Sequence, residues 1–296
     1  MSQHDGHSHA TSGRILRVAL LANGVLLVVQ VVGAVAFSSL ALLADAGHQG
    51  SDVAALLIAV IAQVVAGRAP SANYTFGLRR AEVMGALLNA VTLLAVAAWV
   101  VAEASRRIGD PPDVSGWGVL VLGVAGLLVN GCCAWLLHRS ADRSLNVRGA
   151  ALHLAGDAAA SVGVVIAGLA ILIWNATWVD YAISYLIAGL LIWTGTGLVR
   201  RTTRVLLEGT PPGMDVRELS ALITADGRVN GVHHLHVWSV DSKTVALSAH
   251  VEVAADSLHE AQLVATDLER QLALRGVDHA TLALECHPCD SDHEHG

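Results

Sequence analysis

Long apolar runs fill the chain up to about Val205, and they limit what it can fold into more than any other feature. Hydrophobic residues make up 54% of the 296 residues and charged ones only 15%, with a mean hydropathy of +0.55. A run of about 20 apolar residues is long enough to cross a bilayer as a helix. Soluble globular chains do not have this balance. The sequence therefore predicts a membrane domain followed by a water-exposed domain.

Six segments are predicted as transmembrane helices, at residues 15–36, 40–66, 82–105, 115–138, 148–173 and 179–199. The apolar part of the first is longer than the core of a secretory signal, which is about 7–15 residues, so we interpret it as a retained span. Arginines concentrate in the loops on one side of these spans. By the positive-inside rule, both termini are predicted to be cytoplasmic.

The turn-forming segment Gly209–Gly213 predicts a linker after the last span. Beyond it, residue patterns predict a helix, two strands, a helix and a strand. Their predicted bounds are Asp215–Thr224, Val232–Val240, Thr244–Val253, Ser257–Leu274 and Ala280–Glu285. The order predicts a small α+β domain. The expected organisation is a His-rich tail at 1–13, a membrane domain at 14–208, a cytoplasmic domain at 209–290 and a second tail at 291–296.

Composition also excludes some functions. The net charge of -7 and the lack of a basic stripe argue against nucleic acid as a partner. The sequence has no G-x-x-x-x-G-K-[ST] phosphate loop, so no nucleotide is expected to drive it. The four cysteines form two local pairs, Cys132 with Cys133 and Cys286 with Cys289, which do not resemble a disulfide framework.

The motif His-x-x-x-Asp occurs twice inside predicted spans, as His48 to Asp52 and as His153 to Asp157. Residues four apart share a helix face, so each helix offers an imidazole and a carboxylate to one point. Two such helices side by side would form a tetrahedral site of two nitrogens and two oxygens. A single polar residue in a span is as readily explained by interhelical hydrogen bonding. Repetition of the motif favours metal binding, because an aspartate at the bilayer centre costs about 2.5–3.5 kcal/mol.

Asp45 lies three residues before His48 on the same face, and either a supporting carboxylate or a proton acceptor fits that place. The helix faces, together with the segments Tyr74–Glu82 and Val232–Trp238, resemble the cation diffusion facilitator family over nearly the whole chain. The similarity is closest to the zinc-transporting branch. It implies that His48, Asp52, His153 and Asp157 bind the transported ion.

The same resemblance implies a homodimer, a ferredoxin-like cytoplasmic domain and exchange of metal for protons. It also implies a charge contact between Arg80 and Glu208 where the membrane and cytoplasmic domains meet. A positive-inside anchor and an exposed acid explain these two residues equally well. Exchange agrees with the chemistry of the ligands, because imidazole and carboxylate must lose protons before they bind Zn²⁺.

A second metal cluster is predicted in the cytoplasmic domain. The resemblance implies that His233, His250, His279 and Glu285 bind a structural or regulatory Zn²⁺, and that Cys286 and Cys289 match a thiolate pair of some members. Surface histidines are the alternative. Strand alternation puts His234 and His236 on the face opposite His233, so both are left outside the predicted site.

Two other functions fit the sequence less well. An intramembrane zinc hydrolase would need an open metal position and a general base such as the Glu of His-Glu-x-x-His, but Gln49 and Leu154 follow the two histidines. A metal sensor would not need paired ligands deep in two spans. The prediction is therefore a transporter and no enzyme, with transport of Co²⁺ or Cd²⁺ left open. The Ala- and Arg-rich, Lys-poor composition favours a bacterial inner membrane, with a eukaryotic vesicle membrane as the alternative.

Overall fold

The computed structural model of the chain describes residues 5–66, 71–109, 112–139 and 145–286. Within them, it describes the side chains of all residues except 5–20, 55–56, 59–60, 62–64, 66 and 145–150. These residues form two compact units. The first comprises Met1–Ala59 and Leu88–Val199, and the second comprises Val60–Leu87 and Arg200–Gly296.

Six long helices account for most of the region predicted to lie in the membrane. They are α1 (Asp5–Ala36), α2 (Leu40–Ala66), α3 (Arg80–Arg107), α4 (Gly116–His138), α5 (Leu145–Trp174) and α6 (Trp178–Leu206). Most of their bounds lie within three residues of the predicted ones. The exceptions are α6, which continues seven residues further to Leu206, and α1, which begins at Asp5 rather than at residue 15. No proline interrupts the segment before the apolar run, so the helix extends beyond it.

Over the part of the chain that is described, four helices are long and apolar enough to cross a membrane. They are α3, α4, α5 from Ala151 onward, and α6, while α1 contributes a shorter apolar segment, Leu21–Ala36. The chain therefore has a helical transmembrane domain. That all six long helices cross the membrane stays a prediction.

Small residues let helices of the first unit approach closely. A Cβ on Gly168 of α5 would lie 2.5 Å from the backbone nitrogen of Leu120 in α4, and a Cβ on Gly123 of α4 would lie 3.0 Å from the backbone nitrogen of Val165. Lipid provides no hydrophobic drive between helices, so such close backbone packing is a main source of association in a membrane. The pairing of α4 with α5 holds the helix that carries the second His-x-x-x-Asp motif.

The second unit contains a small α+β fold. Its elements are α7 (Val216–Thr224), β1 (Val229–Ser239), β2 (Val245–Val253), α8 (Leu258–Leu274) and β3 (His279–Glu285). The strands form a sheet in the order β1-β2-β3, with β1 antiparallel to β2 and β2 parallel to β3. Apolar residues of α7, α8 and the sheet form one buried core. The predicted order of elements is confirmed.

The segment before α3 also belongs to the second unit, because it contacts the cytoplasmic fold. Arg80 donates a 2.9 Å hydrogen bond from Nη2 to Glu208 Oε1, which is the contact that the resemblance implied. Arg79 Nη1 donates to Thr244 Oγ1 at 2.7 Å, in the turn between β1 and β2. These contacts join the residues just before and at the start of α3 to the C-terminal part of the chain, although the sequence pattern assigns them to the membrane domain.

Candidate metal centres

The two His-x-x-x-Asp motifs lie against each other in the first unit, one on α2 and one on α5. His48 Nε2 is 3.7 Å from Asp157 Oδ1, and His153 Nε2 is 3.3 Å from Asp52 Oδ2. Within each helix, His48 Nδ1 is 3.5 Å from Asp52 Oδ2, and His153 Nε2 is 3.9 Å from Asp157 Oδ2. Each imidazole therefore contacts both carboxylates, and the four side chains close a ring.

The size of this ring suits a tetrahedral metal ion. Zn²⁺ bonds of 2.0–2.2 Å place the ligand atoms of a tetrahedron about 3.4 Å apart, close to the observed separations. Ligand atoms of His48, Asp52 and Asp157 all lie within 4.8 Å of one another. His153 is outside that group of three, and half of its side chain is exposed, whereas only 6% of the Asp157 side chain is. His153 still contacts the carboxylates of both Asp52 and Asp157.

Asp45 lies one helical turn from His48 but has a different partner. Its Oδ2 accepts a 2.8 Å hydrogen bond from Gln30 Nε2 of α1, and both residues are buried. Its carboxylate is not part of the three-ligand group described above. The structure therefore places Asp45 beside the four-residue ring, held by a neutral amide, and the choice between its two predicted roles stays open.

A second group of ligands lies in the cytoplasmic fold. His233 on β1 pairs directly with His250 on β2. Glu285, at the end of β3, reaches both: its Oε1 is 2.5 Å from His250 Nδ1, and its Oε2 is 3.3 Å from His233 Nε2. Three of the six residues predicted for the cytoplasmic site are thus in contact.

The other three predicted residues do not join this group in the described part of the chain. His279 pairs with Ala246, four residues along β2 from His250. At about 3.3 Å per residue, that register separates the two histidines by about 13 Å. The His279 ring instead packs edge-on against Phe76, with centroids 5.6 Å apart. Cys286 is exposed and lies outside both groups of ligand atoms, and Cys289 lies outside the described residues.

Strand alternation predicts that His234 lies outside this group, but the structure places it beside His233 and His250. Ligand atoms of His233, His234 and His250 all lie within 4.8 Å of one another. The register of β1 and β2 shifts between His233 and His236, so the alternation of side chains is broken there. The sequence signals a role for His234 only by the repeated histidine at 233 and 234. The bulge itself depends on pairing with the partner strand, so it does not appear in the local pattern of residues.

Comparison with known proteins gives matches over nearly the whole chain. The family model for the cation efflux transmembrane domain matches residues 16–207, and the one for the cation efflux protein cytoplasmic domain matches residues 211–282. A zinc transporter, ZitB of Pectobacterium atrosepticum, is 38% identical, covering 97% of this chain and 90% of its own length. The metal cation efflux system protein CzcD of Cupriavidus metallidurans is 37% identical, covering 96% and 91%. A cadmium, cobalt and zinc/H(+)-K(+) antiporter of Bacillus subtilis is 32% identical, covering 95% and 92%.

Proposed function

Because the chain belongs to the cation diffusion facilitator family, we propose that it is an integral membrane exporter that exchanges cytosolic Zn²⁺ for protons. The observation that carries this proposal is the ring formed by His48, Asp52, His153 and Asp157, with contacts of 3.3 to 3.9 Å between helices α2 and α5. Two imidazoles and two carboxylates form a suitable donor set for tetrahedral Zn²⁺. The ring is the transport site, and the metal is its cargo.

Proton exchange follows from the same ligands. A protonated imidazole has no lone pair for a metal, and protons compete with Zn²⁺ for carboxylate oxygen, so each ligand holds a proton or the ion. A site opened to the more acidic side of the membrane gains protons and releases the ion. A site opened to the cytosol loses protons and binds the next one. Alternating access is produced by movement of α2 and α5 relative to their neighbours.

The proposed architecture extends the observed one. All six long helices span the membrane, both termini are cytoplasmic, and the small α+β fold is a ferredoxin-like domain of a homodimer. The match of residues 211–282 to a family model named for a dimer supports the oligomeric state. The bacterial sources of the similar proteins support a bacterial inner membrane.

The range of metals follows from the relatives and from ligand chemistry. One similar protein carries cadmium, cobalt and zinc in its name. A site of two nitrogens and two oxygens does not distinguish Zn²⁺ from Co²⁺ by ligand type, since both ions accept imidazole and carboxylate. We therefore propose Zn²⁺ as the main cargo and Co²⁺ and Cd²⁺ as further ones.

We also propose a structural or regulatory Zn²⁺ in the cytoplasmic fold. The donor set fits that ion, because the imidazoles of His233 and His250 face the same carboxylate, that of Glu285. A bound Zn²⁺ would supply a cross-link between all three strands. His279 is left out of this site, since it lies at the opposite end of β3.

Transport is tested in proteoliposomes that contain the purified protein and a Zn²⁺-sensitive dye, with an imposed pH gradient. Zn²⁺ is expected to cross the membrane in the direction opposite to the protons and to accumulate on the more acidic side. Collapse of the pH gradient by an ionophore is expected to stop this net accumulation of Zn²⁺. Asp157→Ala is expected to abolish the flux, because both imidazoles lose a carboxylate partner. Asp113→Ala, at an exposed aspartate before α4, is the matched control and should transport normally.

The transport assay tests two claims separately: that the ring is the transport site, and that Zn²⁺ is exchanged for protons. Undiminished flux in Asp157→Ala would remove the ring as the transport site. If the Zn²⁺ flux depends on Asp157 but does not change with the pH gradient, the ring is the transport site and proton exchange is wrong.

A further inference from the structure

Strand β1 has a bulge at His234. The register with β2 shifts between His233 and His236, and His234 has a φ of 48°. This left-handed conformation is unfavourable for a residue with a Cβ and is maintained only where the surroundings hold it. Bulges are frequent next to functional sites, where they redirect a side chain. The backbone at His234 is therefore the first indication that its imidazole has a role.

The redirected imidazole completes a triangle of rings. The ring centroid of His234 is 5.1 Å from that of His233 and 5.2 Å from that of His250, and His233 and His250 are themselves 5.2 Å apart. Their ligand nitrogens already lie within 4.8 Å of one another. Zn²⁺ would need to draw them to about 3.4 Å, a movement that side-chain rotation can supply.

We propose that His234 is a third imidazole ligand of the cytoplasmic metal site, which then binds Zn²⁺ through three nitrogens and one oxygen of Glu285. This inference deepens the cytoplasmic part of the proposed function and rests on it. Four protein ligands leave no position for water, and this is the arrangement of a structural zinc site. The site holds its ion for folding and dimer geometry, and it takes no part in moving cargo.

Glu252 supports the first of the three imidazoles. Its Oε1 lies 3.5 Å from His233 Nδ1, on the side of the ring away from Glu285. The carboxylate fits there because the facing residue is Gly231: a Cβ on that glycine would lie 3.2 Å from Glu252 Oε1. A carboxylate on the second nitrogen of a metal-binding histidine fixes the ring orientation and raises its basicity. His233 is thus oriented with Nε2 toward the metal.

His236 provides the matched control. It follows the bulge, pairs with Ser248 and is exposed. It lines a separate cavity of about 420 Å³ together with Trp238 and Glu208. His236 lies two residues from His234 and outside the group of described ligand atoms, so a change there tests for a local effect on the strand without removing a ligand.

The test uses the full chain in detergent with Asp157→Ala present, so that zinc bound by the cytoplasmic site is measured alone. X-ray absorption of the bound Zn²⁺ is expected to count three imidazoles, and two after His234→Asn. Asparagine also tolerates the left-handed backbone, so this change removes the ligand and keeps the bulge. Chelator competition should show affinity reduced by about tenfold or more, since even outer partners of metal ligands are worth 10- to 100-fold. His236→Asn should leave the count and the affinity unchanged.

A second variant at the same position tests whether His234 binds the metal or only supports the fold. Glycine adopts a φ of 48° without a Cβ penalty, so His234→Gly should raise the thermal stability of the metal-free protein while it weakens Zn²⁺ binding. An unchanged imidazole count in His234→Asn, or unchanged affinity in His234→Gly, would overturn the proposal. Failure of zinc transport in proteoliposomes would not affect these measurements, because they do not depend on flux.

Discussion

The carboxylate of Asp180, in the first turn of α6, accepts a 2.6 Å hydrogen bond from Oγ of Ser39, the residue just before the helix that carries His48 and Asp52, and it caps that helix. It also accepts a 2.8 Å hydrogen bond from the backbone N–H of Leu40. Asp180 and Ser39 are both buried. The first N–H groups of a helix have no partner within that helix, so a buried acceptor at this place satisfies groups that water cannot reach.

Loss of this cap should destabilise the first unit. Asp180→Ala leaves the buried N–H of Leu40 without its acceptor, which is expected to lower the free energy of unfolding by about 1–3 kcal/mol. Asp180→Asn should cost less, because its amide oxygen can still accept. Thermal unfolding in detergent measures both, with Asp113→Ala as the control for an exposed aspartate. Equal melting temperatures for Asp180→Ala and that control would contradict the role of the cap.

The four residues of the ring between α2 and α5 are expected to differ in importance. His153→Ala should reduce Zn²⁺ affinity by about 10- to 100-fold, or ~1.4–2.8 kcal/mol, because the other three ligands already lie close together. Asp157→Ala should remove measurable binding, since Asp157 contacts both imidazoles. Competition with a chelating dye, in a background where His250→Ala disables the cytoplasmic site, measures both. Equal loss in the two variants would show that His153 is as necessary as the buried carboxylate.

Arg80 and Glu208 should contribute little to stability despite their short contact. Their side chains are 38% and 61% exposed, so water and salt screen the pair. A double-mutant cycle with Arg80→Ala and Glu208→Ala is expected to give a coupling of about 0.2–1 kcal/mol. The coupling should fall as ionic strength rises. A value that stays constant between low and high salt would contradict a screened surface pair.

A second ion pair should make stability depend on pH. Hydrogen bonds from the Arg228 guanidinium lower the pKa of Asp226 to about 2. The ordinary pKa of aspartate is about 3.9, so the pair stabilises the folded state above about pH 4. That contribution is lost as the pH falls from about 4 to about 2, because the carboxylate then becomes protonated in the folded state too.

Asp226→Asn tests this dependence. The variant should melt at a lower temperature than the parent protein at pH 7, and the difference should shrink as the pH approaches 2. Thermal unfolding followed by circular dichroism gives the comparison. Asp256→Asn, at an exposed aspartate before α8, is the control. If the difference in melting temperature between the parent protein and Asp226→Asn stays constant over this pH range, ionisation of the Asp226 carboxylate is not its cause.

Local patterns were sufficient for most of the architecture. Apolar runs predict the six long helices, and alternation predicts the strand from Thr244 to Val253, because both signals repeat within a few residues. The His–Asp pairing on each helix of the ring follows for the same reason: residues four apart on a helix share a face whatever surrounds them. The start of α1 was missed, since the end of an apolar run does not by itself end a helix.

Features that depend on distant residues were decided by the tertiary structure. Ser39 and Asp180 are 141 positions apart, and nothing in either neighbourhood predicts their hydrogen bond. The parallel register of β3 places His279 opposite Ala246, four residues along β2 from His250, and the bulge in β1 brings His234 close to His233 and His250. Sequence periodicity gives each side chain a face within its own element. Which residues meet across elements depends on register and packing, and these are set only when the whole unit has folded.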